Sequence, residues 1–548
     1  MRTNYESMVY PLANFVSQAL QSIMTQAAEN PNAGLRKVAY VLLSDLLDRK
    51  GDGATIVRGM PAAGLAALQK MLLTRAVEDP DEHVAQSIKH LVGNLADILV
   101  APEDDRSPVK LELPARWSDL MPFIQSTCSS SKPVARARGF ELLSMVTEYV
   151  GPTVADRLVG SFSRIIQAGI RDADIGVKVA AAVACVTVME EASTIEAAKP
   201  LLGALPAMFG VLREAIARDE HQGTAVMEAL NALASSKVEL FAPPAFEPAL
   251  KAALGIASEK RFEPSTRKSA IMLPINICLH ADHMVRRAPA AIRVSMLRCA
   301  IQMASESEDD PEWPNEPDVE SNFFLESDPS EVVTAGIDAV QQMSLTLKGR
   351  VLLPPIVELC SACLRSADWK ERYAGLAALA ISADGCATQL IKNPSKALAP
   401  FVKAAQSDSH PRVRFIAFQG IASLIDALSN DKVAQSVPFR QQVYKALYPF
   451  LCDAISSKAN KENPRVLGAA IYALRQFVIT KVKEHHVTPP SRCVVPLVEA
   501  LRSSPRLDVK MFSLQVISLL VMNALPKETC ESLYPRLMPV LRACLAEA

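Results

Sequence analysis

Residues 399–428 read APFVKAAQSDSHPRVRFIAFQGIASLIDAL. From Pro411 onward the residues Val413, Ile416, Ala417, Gly420, Ile421, Leu424, Ile425 and Leu428 recur at steps of three and four, which puts one apolar stripe on a helix. The preceding Ala399 to Gln406 predicts a shorter apolar helix, closed by the polar turn Ser407 to His410. Two antiparallel helices with one greasy face each cannot bury that surface alone, so the pair needs neighbours of the same kind.

The neighbours are in the sequence. An apolar-Pro pair recurs at Pro354, Pro400, Pro449, Pro496 and Pro539, giving spacings of 46 (354 to 400), 49 (400 to 449), 47 (449 to 496) and 43 (496 to 539). The same pattern appears at 120–150, 155–189, 202–234 and 246–278, and Gly34 to Ala39 and Glu82 to Ile88 open two further second helices. A period in the forties excludes tetratricopeptide and ankyrin units and predicts an all-α, right-handed superhelical solenoid of HEAT repeats, about 11–12 units for this length. Such arrays present long surfaces to other macromolecules, so the expected function is binding.

Composition agrees. Apolar residues make up 49% but aromatic ones only 5%, a mixture of Ala, Leu, Val and Ile that suits closely packed helices. The 37 prolines are expected at helix starts and in turns, where the missing N–H costs little. With 58 Lys+Arg against 59 Asp+Glu there is no global field to hold a polyanion, so no direct nucleic-acid partner is expected. The eleven cysteines are odd in number and scattered through apolar helical runs, as reduced core thiols would be. No leader pattern and no apolar membrane span is expected.

One segment departs from the repeat. Ser305 to Glu331 reads SESEDDPEWPNEPDVESNFFLESDPSE, and no Lys or Arg occurs between Arg298 and Lys348. Its carboxylates and prolines predict a solvated, self-repelling loop, with Trp313 exposed as a contact anchor. The expected organisation is therefore HEAT repeats over 1–304, an acidic insertion over 305–331 and further repeats over 332–548, the last incomplete.

Cys360 and Cys363 have CxxC spacing but fall in an apolar helix without a second ligand pair, and His280 and His283 lack the further ligands of a structural metal site. Gly51 to Gly53 precedes no Lys-Ser/Thr, and neither a GxSxG nor an HExxH motif occurs. No enzyme activity, metal or cofactor is expected.

The stretch Asp368 to Ala380, DWKERYAGLAALA, together with Asp384 to Cys386, closely resembles a HEAT repeat of the importin-β (karyopherin-β) family, especially its karyopherin beta-three (importin five) branch. Asp408 with His410-Pro-Arg-Val-Arg414 is similar to the next repeat of that branch, and Asp309-Asp310-Pro-Glu-Trp313 lies where the branch carries an acidic segment with a Trp. Weaker resemblance runs back through Trp117 to Pro122 and Leu35 to Leu43, and suggests the N-terminal half of a longer receptor. An incomplete last repeat would leave Leu537, Met538, Val540, Leu541 and Leu545 exposed.

The resemblance implies a monomeric nuclear transport receptor shuttling between cytoplasm and nucleus. It would bind Ran-GTP through its N-terminal repeats and carry cargo with basic nuclear localisation signals on the concave surface. It would also touch Phe-Gly nucleoporins, through slots between first helices around residues 150–300. Carried over to this sequence, the partner-binding residues are Glu308, Asp309, Asp310, Glu312 and Trp313 in the acidic segment, and Asp384, Gln419 and Asp426 on second helices, while Arg412 and Arg414 are expected to form structural ladders with Asp408 and neighbouring turns. The competing expectation is a HEAT scaffold of the phosphatase-scaffold or assembly-chaperone type, with a constitutive partner indifferent to nucleotide.

Overall fold

The computed structural model describes residues 30–47, 53–100, 116–315, 330–390, 392–429, 437–481 and 490–547. Among them every regular element is a helix. The chain divides into two compact units, Met1–Ala252 and Ala253–Ala548.

In the first unit the longer helices are α1 (Ala33–Leu46), α2 (Ala62–Glu78), α3 (Glu82–Val100), α4 (Leu120–Cys128), α5 (Pro133–Val150), α6 (Pro152–Ile170), α7 (Ile175–Glu191), α8 (Leu205–Arg218) and α9 (Glu220–Ser236). Short polar turns with capping residues separate the pairs: Asn32, Asp174 and Asp219 each accept a backbone N–H from the first turn of the helix that follows. Second helices α1, α3, α5, α7 and α9 pack in consecutive order, and first helices such as α2, α4 and α8 pack against their own partners. The apolar stripe of α3, from Val84 through Ile88, Leu91 and Leu95 to Ile98, is buried along its length. The stretch Ile195–Arg218 is long and apolar enough to cross a membrane, contrary to the sequence expectation, but a 3-10 turn at Lys199–Ala204 interrupts it and Met208, Phe209 and Leu212 of α8 are buried in the repeat core.

The unit boundary falls within α10 (Phe246–Ala257). The second unit continues with α11 (Pro264–His280), α12 (Ala290–Ala304), α13 (Glu331–Cys363), α14 (Trp369–Ile381), α15 (Ala383–Leu390), α16 (Pro394–Ser407), α17 (Pro411–Ser429), α18 (Val437–Ser456), α19 (Pro464–Lys481), α20 (Val494–Ser503), α21 (Leu507–Asn523) and α22 (Lys527–Glu547). The row of second helices runs α11, α13, α14, α17, α19, α21. Within α13 the backbone breaks at Lys348 (φ 64°, ψ 165°), so its first part closes one repeat and its second part opens the next. That conformation is close to glycine-only and costs about 1–3 kcal/mol for a residue with a side chain. Gly385 on α15 lets the chain lie against the α13 backbone, because a Cβ there would stand 2.2 Å from the Ser344 carbonyl oxygen.

The proline reading needs correction. Pro354, Pro400, Pro449 and Pro539 lie inside helices that begin earlier, at the start of the second part of α13, at Pro394, at Val437 and at Lys527. Each proline removes one backbone donor without ending the helix, since packing on both sides outweighs that cost. At the C-terminal end Leu537, Met538, Val540 and Leu541 are half-buried rather than exposed, because α22 packs against α20; Leu545 has no described side chain.

Candidate partner-binding surface

At the N-terminal ends of the second helices an arginine repeats three residues into the helix. Arg36 grips Asp79 through Nε and Nη2 (3.0 and 2.8 Å), Arg136 grips Asp172 (2.8 and 2.8 Å) and Arg372 grips Asp408 (2.7 and 2.9 Å). The aspartate in each case belongs to the turn of the next repeat, and the same arginine donates Nη1 to carbonyls of its own turn, such as Ser366 and Ala367 for Arg372. Arg414 does this for Asp408 and Ser409 and reaches Asn460 where the others find an aspartate. These forks fasten repeat to repeat and hold the carboxyls ionised. Burial works against ionisation of Asp408, but the Arg372 guanidinium outweighs it and leaves the carboxyl below its usual range.

Residues one turn-position earlier do something else. Arg412 and Arg465 occupy equivalent places just after the prolines that open α17 and α19, and Arg506 immediately precedes α21; all are buried. Across them lies the acidic segment. Arg267 of α11 forks onto Glu306 (2.7 and 2.8 Å), and Arg412 donates to the Ser307 hydroxyl (2.8 Å). Trp313 is only 3% exposed. Its ring meets Phe415 edge-on at 5.3 Å, with the guanidinium carbons of Arg465 and Arg412 at 4.9 and 5.1 Å from the centroid. Arg465 donates to the Trp313 carbonyl at 2.9 Å, and Arg506 reaches the Pro314 carbonyl at 3.4 Å. Beside this, His410 stacks flat on Trp369 at 3.8 Å and approaches Asp309 at 3.7 Å.

The expectation of a solvated loop with an exposed tryptophan is therefore overturned over 305–315. The arginines take the ring, the hydroxyl and the backbone carbonyls, and only Glu306 of the carboxylates docks as a fork. Glu308, Asp309 and Glu312 are exposed and Asp310 is half-buried, turning the segment through its bond to the Glu312 N–H. Residues 316–329 lie outside the described residues. Arg412 correspondingly serves the segment, while Arg414 serves the ladder.

Farther along the second helices, seven-residue steps return to within about 20° of the same face. Arg412, Gln419 and Asp426 share one stripe of α17, and the stripe on α14 and α15 runs through Lys370 and Ala377 to Asp384. Asp384 and Asp426 are exposed at equivalent positions. Partial burial, reinforced by the like charge of Asp384 and opposed by Arg475, raises Asp426 to about 6. Gln419 does not join them: it is 1% exposed, so helix packing withdraws it from the surface assigned to it by sequence. Tyr472 on α19 accepts a hydrogen bond from Gln476 (2.8 Å) and packs on Phe512 (5.2 Å). Sequence reasoning missed Arg465 and Arg506 as partners of the acidic segment; the only signal was a basic residue beside each helix start.

Elsewhere the chemistry is structural. Cys360 is buried in α13 and its thiol is pushed up by desolvation, and His280 and His283 are exposed. Among the described residues no group of three or more His, Cys, Asp and Glu is arranged to hold a metal.

A family model described as IPO5-like, TPR repeats matches residues 109–250. Importin subunit beta-3 of Saccharomyces cerevisiae is 26% identical over 465 residues, covering 83% of this chain and 39% of the yeast protein. The chain is similar to importins over most of its length. A probable importin-5 homolog of Dictyostelium discoideum is 23% identical over 397 residues, covering 72% of this chain and 35% of that protein. The chain thus spans well under half the length of these importins. Crystal structures of the karyopherin Kap121p superpose with a TM-score of 0.78 at 22% identity, over 97% of this chain and 48% of Kap121p, which establishes the HEAT solenoid fold. Kap121p has been crystallised bound to RanGTP and, separately, to the extreme C-terminus of the phosphatase Cdc14p.

Proposed function

We propose that this chain is a nuclear transport receptor of the importin type, a non-enzymatic carrier that binds Ran-GTP through its N-terminal repeats, engages Phe-Gly nucleoporins and works as a monomer shuttling between cytoplasm and nucleus. The observation that carries the reading is the alignment with yeast importin subunit beta-3 over 83% of the chain, on a fold shared with a karyopherin that has been crystallised with RanGTP.

Cargo is a protein with a basic nuclear localisation signal. Asp384 and Asp426 would receive its lysines or arginines, and the outward carboxylates Glu308, Asp309 and Glu312, with the half-buried Asp310 beside them, would attract them. Ran-GTP and cargo compete for or differently bend one solenoid, so each lowers the affinity of the other, by the same factor. A titration against Ran loaded with GTP and with GDP tests this. Preference for the GTP form supports the reading; equal binding, or none, favours a nucleotide-indifferent scaffold.

A further inference from the structure

The contacts of residues 306–314 span an unusual sequence distance. Arg412 lies 105 residues from Ser307, Arg465 lies 152 from Trp313 and Arg506 lies 192 from Pro314. In space they run from α11, through Arg267, to the start of α21, with α13, α14, α17 and α19 between in the row of second helices.

The lengths are informative. Packed helices stand about 8–10 Å apart, so the five steps from α11 to α21 measure roughly 40–50 Å along a straight row. The eight residue steps from Glu306 to Pro314 extend at most about 29 Å, at about 3.6 Å each. The segment is not even fully extended, since Trp313 N–H bonds to the Asp310 carbonyl (3.2 Å) and Asn315 N–H to the Glu312 carbonyl (2.8 Å). The Arg267 and Arg506 side chains close the remaining gap from either end. Both ends of the segment therefore hold at once only while the row opens no further than this combined reach.

We infer that residues 306–314 form an intramolecular strap that limits how far the second unit can open between α11 and α21. Glu306 is the near anchor, the Trp313 ring against the Arg412 and Arg465 guanidiniums is the central one, and the Pro314 carbonyl on Arg506 is the far one. The central anchor is a buried ring packed on cations, so it yields as a unit: once Trp313 leaves, the neighbouring bonds from Arg412 and Arg465 go with it. Opening of the row beyond that reach and release of the strap are thus one event. Any ligand whose binding requires a more open second unit must displace the strap, and any ligand that fits the strapped form is favoured by it. This inference stands apart from the identity of the partners.

The test uses the full chain with a donor and acceptor fluorophore attached through bio-orthogonal residues replacing Ser265 on α11 and Met511 on α21, both exposed. Energy transfer is compared in the parent, in Trp313→Ala and in Arg506→Ala, which leaves the tryptophan pocket intact. The strap predicts lower transfer and a broader distance distribution in Trp313→Ala, a smaller shift in Arg506→Ala, and recovery of Trp313→Ala on adding a peptide of residues 305–315. Unchanged transfer in Trp313→Ala, while amide exchange shows residues 306–314 detached and circular dichroism shows the helices intact, overturns it. Should Trp313→Ala fail to fold, Arg506→Ala decides alone: parent-like transfer overturns the inference.

Discussion

Replacing Trp313 by alanine distinguishes an exposed contact residue from a buried anchor. An exposed tryptophan on a surface loop changes stability by no more than about 0.5 kcal/mol on truncation. The structure buries it to 3%, with its ring edge-on to Phe415 and two guanidiniums within 5.1 Å of its centroid. Truncating a buried tryptophan costs about 3–5 kcal/mol, and each desolvated cation–π contact adds about 1–2 kcal/mol that alanine cannot replace. The chain has an escape that a closed core lacks: residues 306–314 can lift away and return Arg412 and Arg465 to water, so the loss is capped by the free energy of docking the segment. A value near the lower end, about 3 kcal/mol, is expected, read as lost amide-exchange protection in α17 and α19 and as an earlier urea transition of the second unit. Trp313→Phe keeps part of the ring contact and should lose about half as much. A change below about 0.5 kcal/mol in Trp313→Ala, with protection in α17 and α19 unaltered, would refute the packing described here.

The other predictions concern single groups. Removing the carboxylate of the Arg372–Asp408 fork, whose side chains are 15% and 10% exposed, should cost about 3 kcal/mol as Asp408→Ala, the low end for a broken buried pair because Arg372 keeps its own turn carbonyls. Since the folded pKa of Asp408 is depressed, its contribution is complete above its ordinary value near 3.8 and fades as pH falls below that; Asp408→Ala should lose correspondingly less stability than the parent in acid titrations. Asp426 titrates at about 6, so affinity for a basic peptide seated at Asp384 and Asp426 should fall about two- to fivefold from pH 7 to pH 5, and Asp426→Asn should remove most of that dependence in fluorescence titrations. Lys348→Gly should raise the thermal midpoint, because relief of about 1–3 kcal/mol of backbone strain exceeds the added flexibility of the unfolded chain, about 0.5–1 kcal/mol.

The repeat was legible because its signals are local. The stripe from Val413 to Leu428 and the polar turn at Ser407 to His410 each lie within one helix pair, and the structure forms α16 and α17 there. Helix starts were less accurate at the apolar-Pro pairs, since Pro400 and Pro449 are tolerated inside helices whose neighbours hold them straight enough to continue. The acidic segment was misread for a different reason. Charge repulsion and proline content describe it in isolation, but its stability comes from Arg412, Arg465 and Arg506, more than a hundred residues away, and no local pattern connects them to Trp313. Gln419 illustrates the same limit on a smaller scale: heptad spacing places it on the stripe of Asp426, yet neighbouring second helices cover the middle of that stripe and leave its end open.

The most direct test of the transport reading is displacement. The full chain is loaded with a fluorescent basic peptide, and Ran in its GTP form or its GDP form is added at equal concentration. The account predicts release of the peptide by the GTP form and little release by the GDP form, with Asp384→Lys and Asp426→Lys together weakening peptide binding beforehand. Peptide that stays bound under a saturating excess of Ran-GTP would contradict a receptor whose cargo and Ran sites are coupled.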